Sequence, residues 1–384
     1  MKVGIITIHN SPNYGASLQS YALYRYIANQ GVDCEIIDLY RPEQVGYIFS
    51  ERFDKMEILH PKRKLKGLLK KLILSLLGIG CKGRVLSDES GLTYKFEEFN
   101  GQIHLSKPYR SIDQLYSNPP RYDLYITGSD QVWNPTQPYA IEPYFLTFVQ
   151  AGQKISYASS IGVGELSAEE KAKFKHWLSS YERISVRERE AKILLESFVG
   201  RKIEQVPDPT FLLTTDEWKK EMAEKQIEED YILCFTLYFK LSFIRYAIRI
   251  AKQSGKKLVI LSQTQPKPIA NYLAVKNAGP REWLSYIAYA DMVLTDSFHC
   301  TVFSIILRTK NFYSYISPTD KRGGRIIGLL DTYGLKEHLL NSDLTQSFAD
   351  LKENVIEWER VEYIQNREFL YGNEFLKSCL IEKQ

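Results

Sequence analysis

The chain has 384 residues, too many for one ordinary hydrophobic core, so two domains are expected. An apolar content of 44% excludes global disorder, and a net charge of +4 is too mild for a protein that coats nucleic acid. Five scattered cysteines, at 34, 81, 234, 300 and 379, contain no C-x-x-C pair and read as a reduced, cytoplasmic chain without a zinc site.

The first apolar run, 3–8, is too short for a signal peptide, and no stretch reaches the roughly 18 apolar residues of a membrane span. Residues 2–8 read as a buried strand, 18–29 as a helix ended by Gly31, and 33–39 as a second strand. That is the opening of a Rossmann-like unit. Its loop is not G-x-G-x-x-G, so no dinucleotide is indicated. The loop still sets Asn13, Gly15, Ala16 and Ser17 at a helix start, either beneath a ligand or in a plain strand-to-helix connection.

Residues 61–80 are the most biased segment, with Lys62, Arg63, Lys64, Lys66, Lys70 and Lys71 set among leucines at helical spacing. A basic amphipathic helix over about 62–78 can rest on an anionic membrane or pack its apolar face on its own domain. Short helices over 92–99 and 111–115 precede a strand at 122–127. At its end stand Gly128, Ser129, Asp130 and Trp133, a set that suits a pocket wall. Asp130 is a candidate base there, or a loop cap. A strand at 155–159, a helix at 168–179 and a strand-to-helix junction at 184–188 follow. Arg187 occupies that junction, where its fork suits a carboxylate or phosphate, or an ion pair with Glu188 or Glu190.

Pro207-Asp208-Pro209-Thr210 is the best boundary, because two prolines stiffen the link. It divides the chain into 1–206, 207–346 and a helical tail, 347–384. Beyond it the alternation resumes: strands at 231–237, 257–262, 291–294 and 311–316, helices at 241–253 and 280–290. After the third of these strands comes Thr295-Asp296-Ser297-Phe298-His299-Cys300. Asp296 and Ser297 are both good helix caps, so Ser297, Phe298 and His299 fall at a helix start on the carboxyl edge of a sheet. Free N–H groups there favour an anion. Lys321-Arg322-Gly323-Gly324-Arg325 then opens a helix at 326–332, with Arg322 and Arg325 as further anion ligands.

The expected fold is therefore α/β: two Rossmann-like domains facing a cleft, as in the glycosyltransferase B architecture. Five stretches in order, Asn13-Tyr14-Gly15-Ala16-Ser17-Leu18-Gln19, Gly128-Ser129-Asp130-Gln131-Val132-Trp133-Asn134, Ser185-Val186-Arg187-Glu188, Pro207-Asp208-Pro209-Thr210 and Thr295-Asp296-Ser297-Phe298-His299, resemble the motifs of the polysaccharide pyruvyltransferase family over about residues 1–335. The resemblance implies transfer of the enolpyruvyl carbons of phosphoenolpyruvate onto a sugar. The product is a cyclic ketal bridging two hydroxyls, and phosphate is released. It implies a place in capsule, exopolysaccharide or cell-wall glycan synthesis, a sugar acceptor built on a polyprenyl lipid at the inner membrane face, and no metal or redox cofactor. It aligns Asp130, Arg187 and His299 with the family's acidic, arginine and histidine positions. One departure is Cys300, where the family usually has glycine.

Phosphoenolpyruvate carries a carboxylate and a phosphate, so its site needs fixed positive charge, which Arg187, Arg325 and the helix start at Ser297 can supply. His299 is the expected proton donor or phosphate partner, and Asp130 the base for the attacking hydroxyl. The rival expectations are a nucleotide-sugar glycosyltransferase of the same architecture and a non-catalytic binding homologue.

Overall fold

The structure, a computed structural model, describes residues 1–42, 44–48, 91–136, 142–237, 240–262, 272–320 and 323–380. The basic amphipathic stretch at 62–78 and Arg322 lie outside the described residues. Two parallel sheets organise the rest. The first has the order β2-β1-β3-β4, built from β1 (Lys2–Ile6), β2 (Asp33–Ile36), β3 (Leu124–Thr127) and β4 (Gln153–Ser156). Single bridges, Ile155 to Arg183 and Ser159 to Val186, lead from β4 to a short parallel pair, β5 (Ser185–Val186) and β6 (Glu204–Gln205).

The second sheet runs β11-β10-β7-β8-β9, from β7 (Tyr231–Thr236), β8 (Lys257–Ser262), β9 (Leu273–Val275), β10 (Met292–Thr295) and β11 (Phe312–Ser314). Strands β7 and β10 are buried along their length, as continuous apolar runs in parallel sheets are. Helices connect the strands in both sheets. They include α1 (Tyr14–Ala28), α2 (Leu92–Asn100), α3 (Ile112–Ser117), α4 (Ala168–Leu178), α5 (Arg189–Val199) and α6 (Thr215–Glu221). Beyond them lie α7 (Leu241–Ser254), α8 (Pro280–Ala288), α9 (Phe298–Ile306), α10 (Gly324–Thr332), α11 (Phe348–Glu353) and α12 (Trp358–Leu380). The chain thus forms two Rossmann-like domains around a cleft, the glycosyltransferase B arrangement.

Helix α1 is the piece that fixes one half against the other. It is buried on nearly every side, despite its serines and glutamine, which marks a helix packed on both faces. Tyr14 crosses to the second half: its ring stacks on Trp283 at 5.1 Å and its hydroxyl donates to the Ala278 carbonyl at 2.7 Å. Further along α1, Tyr21 meets Trp218, which itself packs edge-on against Phe303 of α9 at 4.8 Å. One apolar cluster therefore runs through both halves.

Helix α12 returns to the first half, where the Arg183 guanidinium stacks on Phe375 at 4.1 Å and the Tyr26 hydroxyl donates to Asn373. At Gly372 an added Cβ would lie 3.2 Å from Pro207 Cγ and Leu212 Cδ2, so the helix comes as close as glycine allows to the link between the sheets.

Candidate functional site

The site begins with two helix starts. Helix α1 opens four residues earlier than the sequence suggested, at Tyr14, because Asn13 caps it: the Asn13 Oδ1 accepts from the Ala16 N–H at 3.2 Å. Gly15, Ala16 and Ser17 are thus first-turn helical residues and not loop. Helix α9 opens at Phe298, with Ser297 as its cap, accepting from the Cys300 N–H at 3.3 Å. Asp296, expected to cap the same helix, instead reaches across to β7. It accepts from the Leu237 N–H at 2.8 Å and the Thr236 hydroxyl at 3.0 Å, and burial raises its carboxyl above the ordinary value.

The two helix starts meet. The His299 imidazole lies over Gly15, where an added Cβ would stand 2.6 Å from its Cγ and 2.7 Å from its Cε1. Only a residue without a side chain lets this ring cross the boundary. Because His299 follows β10 and Gly15 follows β1, the carboxyl edges of both sheets face the same space. That is where open α/β sheets bind ligands.

Arg187, just after β5, is buried beneath this contact and carries a dense set of partners. Its Nε donates to Glu188 Oε1 at 3.0 Å and its Nη1 to Asp208 Oδ2 at 2.6 Å. Its Nη2 has no hydrogen-bond partner among the described residues and faces Asp130 Oδ1 at 4.0 Å. Burial works against the guanidinium charge, but Glu188, Asp208 and Asp130 outweigh it and raise its pKa above the ordinary value. The ring of Phe298 lies under Arg187 at 4.3 Å and under Arg325 at 5.5 Å, a double cation–π contact.

Asp208 sits at the centre. Its Oδ2 serves Arg187 and faces His299 Nε2 at 3.6 Å, while its Oδ1 accepts from the Thr210 N–H and hydroxyl at 3.1 and 2.8 Å. Burial would raise this carboxyl, yet His299 and Arg187 hold it well below the usual carboxylate range. A cavity of about 280 Å³ opens beside the group and is lined by Arg187, Asp208, Phe298 and Arg325 among others. It falls just under the ~300 Å³ at which sites for drug-sized ligands begin, so it suits a small molecule. A larger hollow, about 1020 Å³, lies at the opposite edge of the first sheet, around Met1, Tyr122, Asp123 and Gln153. It sits at strand starts, away from the edge at which such sheets bind ligands.

The remaining expected residues divide. Asp130 stands in the left-handed region at φ 65°, uncommon for a residue with a side chain, and its carbonyl accepts from the Ser160 N–H at 2.9 Å. Gly128 and Ser129 build the turn without reaching ligand space. Gly128, at φ 127°, passes directly under the Tyr157 carbonyl, where any Cβ would clash. The buried Ser129 donates from its hydroxyl to the Ala158 carbonyl at 2.9 Å. Trp133 is no pocket wall. It is fully buried, stacks on Phe145 at 5.4 Å and donates its indole N–H to the Tyr144 carbonyl at 2.9 Å. A large indole with a carbonyl in reach is more stable in the core than at a wet surface. Cys300 is buried too, and burial pushes its thiol up, away from the reactive thiolate.

Three further residues belong to the arrangement. Gln19 ties the β1 and β3 loops together, its amide donating to Thr7 Oγ1 at 3.0 Å and accepting from the Ser129 N–H at 3.1 Å. The Gln131 amide, with its oxygen turned to Arg325, accepts from both terminal guanidinium nitrogens at 3.1 and 3.2 Å. Asp208 is the third. Its signal in the sequence was the two flanking prolines, which also suit a plain boundary.

A family model described as polysaccharide pyruvyl transferase matches residues 13–317. No curated protein matches the chain. Among solved structures, the UDP-GlcNAc 2-epimerase from Neisseria meningitidis, bound to UDP-GlcNAc, superposes with a TM-score of 0.52 at 12% identity, covering 99% of this chain and 100% of that one. The UDP-GlcNAc 2-epimerase from Methanocaldococcus jannaschii gives 0.50 at 13% identity, with 99% of each chain covered. At such identities the likeness is one of fold.

Proposed function

Because the chain belongs to the polysaccharide pyruvyl transferase family, we propose that it transfers the pyruvyl carbons of phosphoenolpyruvate to two hydroxyls of a sugar. A cyclic ketal forms and phosphate is released. The observation that carries this reading is the buried group of Arg187, Asp208 and His299 beside a small cavity, with Arg325 and Phe298 on its wall. Phosphoenolpyruvate is small and carries two anionic groups. The Arg187 and Arg325 guanidinium groups that line the cavity and the start of α9 would supply it with three sources of positive charge.

In the proposed course, His299 gives a proton to the methylene carbon and the central carbon becomes electron-poor. The first sugar hydroxyl adds there and loses its proton to Asp130. The second hydroxyl then displaces phosphate, and its proton leaves with that group. General acid and base help of this kind contributes about 10²–10⁴ each in rate.

The acceptor in this reading is a sugar carried on a polyprenyl lipid, in capsule or exopolysaccharide synthesis. No helix among the described residues is long and apolar enough to cross a membrane. The basic stretch with Lys62, Lys64, Lys70 and Lys71 would rest on the anionic inner face. Neutralising those four should weaken binding to anionic vesicles, and equal binding would remove the membrane element of the proposal.

The deciding experiment is phosphate release from phosphoenolpyruvate in the presence of a panel of lipid-linked sugars. Release that depends on both substrates, and is lost in His299→Ala, supports the reading. Nucleotide release from a nucleotide-sugar, with none of phosphate from phosphoenolpyruvate, would replace it with glycosyl transfer.

A further inference from the structure

We propose that Asp208 is the positioning residue of His299: it keeps one proton on Nε2, so that the proton His299 gives to the substrate is a second one, taken up and released at Nδ1. The proposal rests on the reading above for its rate measurement, but not for its spectroscopic one.

The Asp208 carboxylate is buried, and the groups packed against it are donors. Thr210 offers an N–H and a hydroxyl to Oδ1, and Arg187 Nη1 donates to Oδ2 at 2.6 Å. Rotation of the carboxylate is therefore blocked from both sides. Pro207 and Pro209 flank the residue, and Asp208 itself caps the short helical turn that Pro209 begins. His299 Nε2 then faces Oδ2 at 3.6 Å. A lone pair on Nε2 would oppose the carboxylate charge, whereas an N–H there is attracted. The hydrogen on one imidazole nitrogen is set by what that nitrogen faces, and the other nitrogen is left to act. Nε2 is buried and has no other partner among the described residues, so Asp208 is what decides.

The opposite nitrogen, Nδ1, lies over Gly15 in the first turn of α1, beside the start of its own helix. Both helix ends carry partial positive charge, so an anion held there lies on the Nδ1 side of the ring, away from Asp208. Asp208 Oδ2 also holds Arg187, so one oxygen sets the proton donor and the cation at a fixed distance from each other. A carboxylate is required. Asparagine would turn its NH₂ toward either Thr210 or the Arg187 and His299 side, so one set of donors would meet a donor.

The test uses full-length protein labelled with ¹⁵N in its histidine rings, with the His299 signal assigned by its loss in His299→Gln. The expected wild-type spectrum at high pH shows the Nε2–H form. Asp208→Asn should shift the population toward Nδ1–H. It should also lower kcat for phosphate release by about 10² or more, as loss of an orienting carboxylate does elsewhere, with KM for phosphoenolpyruvate changed only a few-fold. An Nδ1–H form in the wild type overturns the proposal. So does an unchanged tautomer in Asp208→Asn, whatever its rate, or a changed tautomer with kcat within three-fold of wild type. If Asp208→Asn does not fold, the wild-type spectrum decides alone. Should the wild type release no phosphate from phosphoenolpyruvate, the proposed function fails, and the tautomer of His299 still judges Asp208.

Discussion

Replacing Gly15 by alanine separates the chemistry from the fold. Gly15 has an ordinary negative φ inside α1, so the backbone accepts alanine, and the helix gains up to about 1 kcal/mol from it. The new Cβ, however, would stand 2.6 Å from His299 Cγ and 2.7 Å from Cε1. Carbon atoms at rest are about 3.5–4.0 Å apart, so the ring must retreat by roughly 1 Å. Overpacking of this kind costs about 1–3 kcal/mol. The net loss of stability is then about 0–3 kcal/mol, within what a folded domain withstands. A shift of about 1 Å at a reacting group costs about 10² in rate. Gly15→Ala should therefore melt within a few degrees of wild type while phosphate release falls about a hundred-fold. Gly164→Ala is the control, because an added Cβ there has no neighbour within 4 Å and φ is not in the left-handed range. A Gly15→Ala protein with kcat/KM within two-fold of wild type would refute the reasoning: either His299 takes no part in the reaction or its ring is free to move.

Arg187→Met leaves Glu188 and Asp208 as buried carboxylates without their cation. The expected loss is about 3–5 kcal/mol, read from the midpoint of urea unfolding. Arg325→Met, at a partly exposed position, should instead raise KM for phosphoenolpyruvate and cost about 1–3 kcal/mol through its lost bonds to the Gln131 amide. Asp208 sets an acid limit. Its folded carboxyl lies well below the unfolded value near about 3.9, so its contribution is complete above about pH 5 and drains as pH falls toward the folded value. Asp208→Asn should accordingly flatten the fall of stability between about pH 5 and 2, measured by denaturant unfolding at each pH, and an unchanged slope would contradict the pairing. Trp133→Phe should lose about 1–3 kcal/mol through the lost indole hydrogen bond and the space the smaller ring leaves, with KM and kcat unchanged. A raised KM would return the indole to the pocket wall.

How much of this was legible in the sequence follows from the range of each interaction. Strands β1, β7 and β10 are apolar runs whose burial is written in their own residues. The caps are local as well: Ser297 meets the amide of Cys300, and Asn13 that of Ala16, three residues away in each case. From such signals the chain by itself determined the strand–helix alternation, the two Rossmann-like halves and the edge on which His299 stands. The order of its motifs marked the family.

Only the tertiary structure decided which of these residues meet. Asp208 lies 21 residues from Arg187 and faces His299 from another part of the chain, and neither pairing leaves a periodicity. Gly15 reads as a generous turn residue until a ring from the other half is laid on it. Trp133, beside a glycine and polar neighbours, reads alike whether it turns to a cavity or to Phe145, and packing chose Phe145. Asp296 could cap its helix or bridge to the end of β7, and two donors there, Thr236 and Leu237, made the bridge the better bonded choice. Propensity and capping act within a turn or a strand. The partner of a buried polar group is set by whichever distant segment the fold packs against it, and a buried charge must find one.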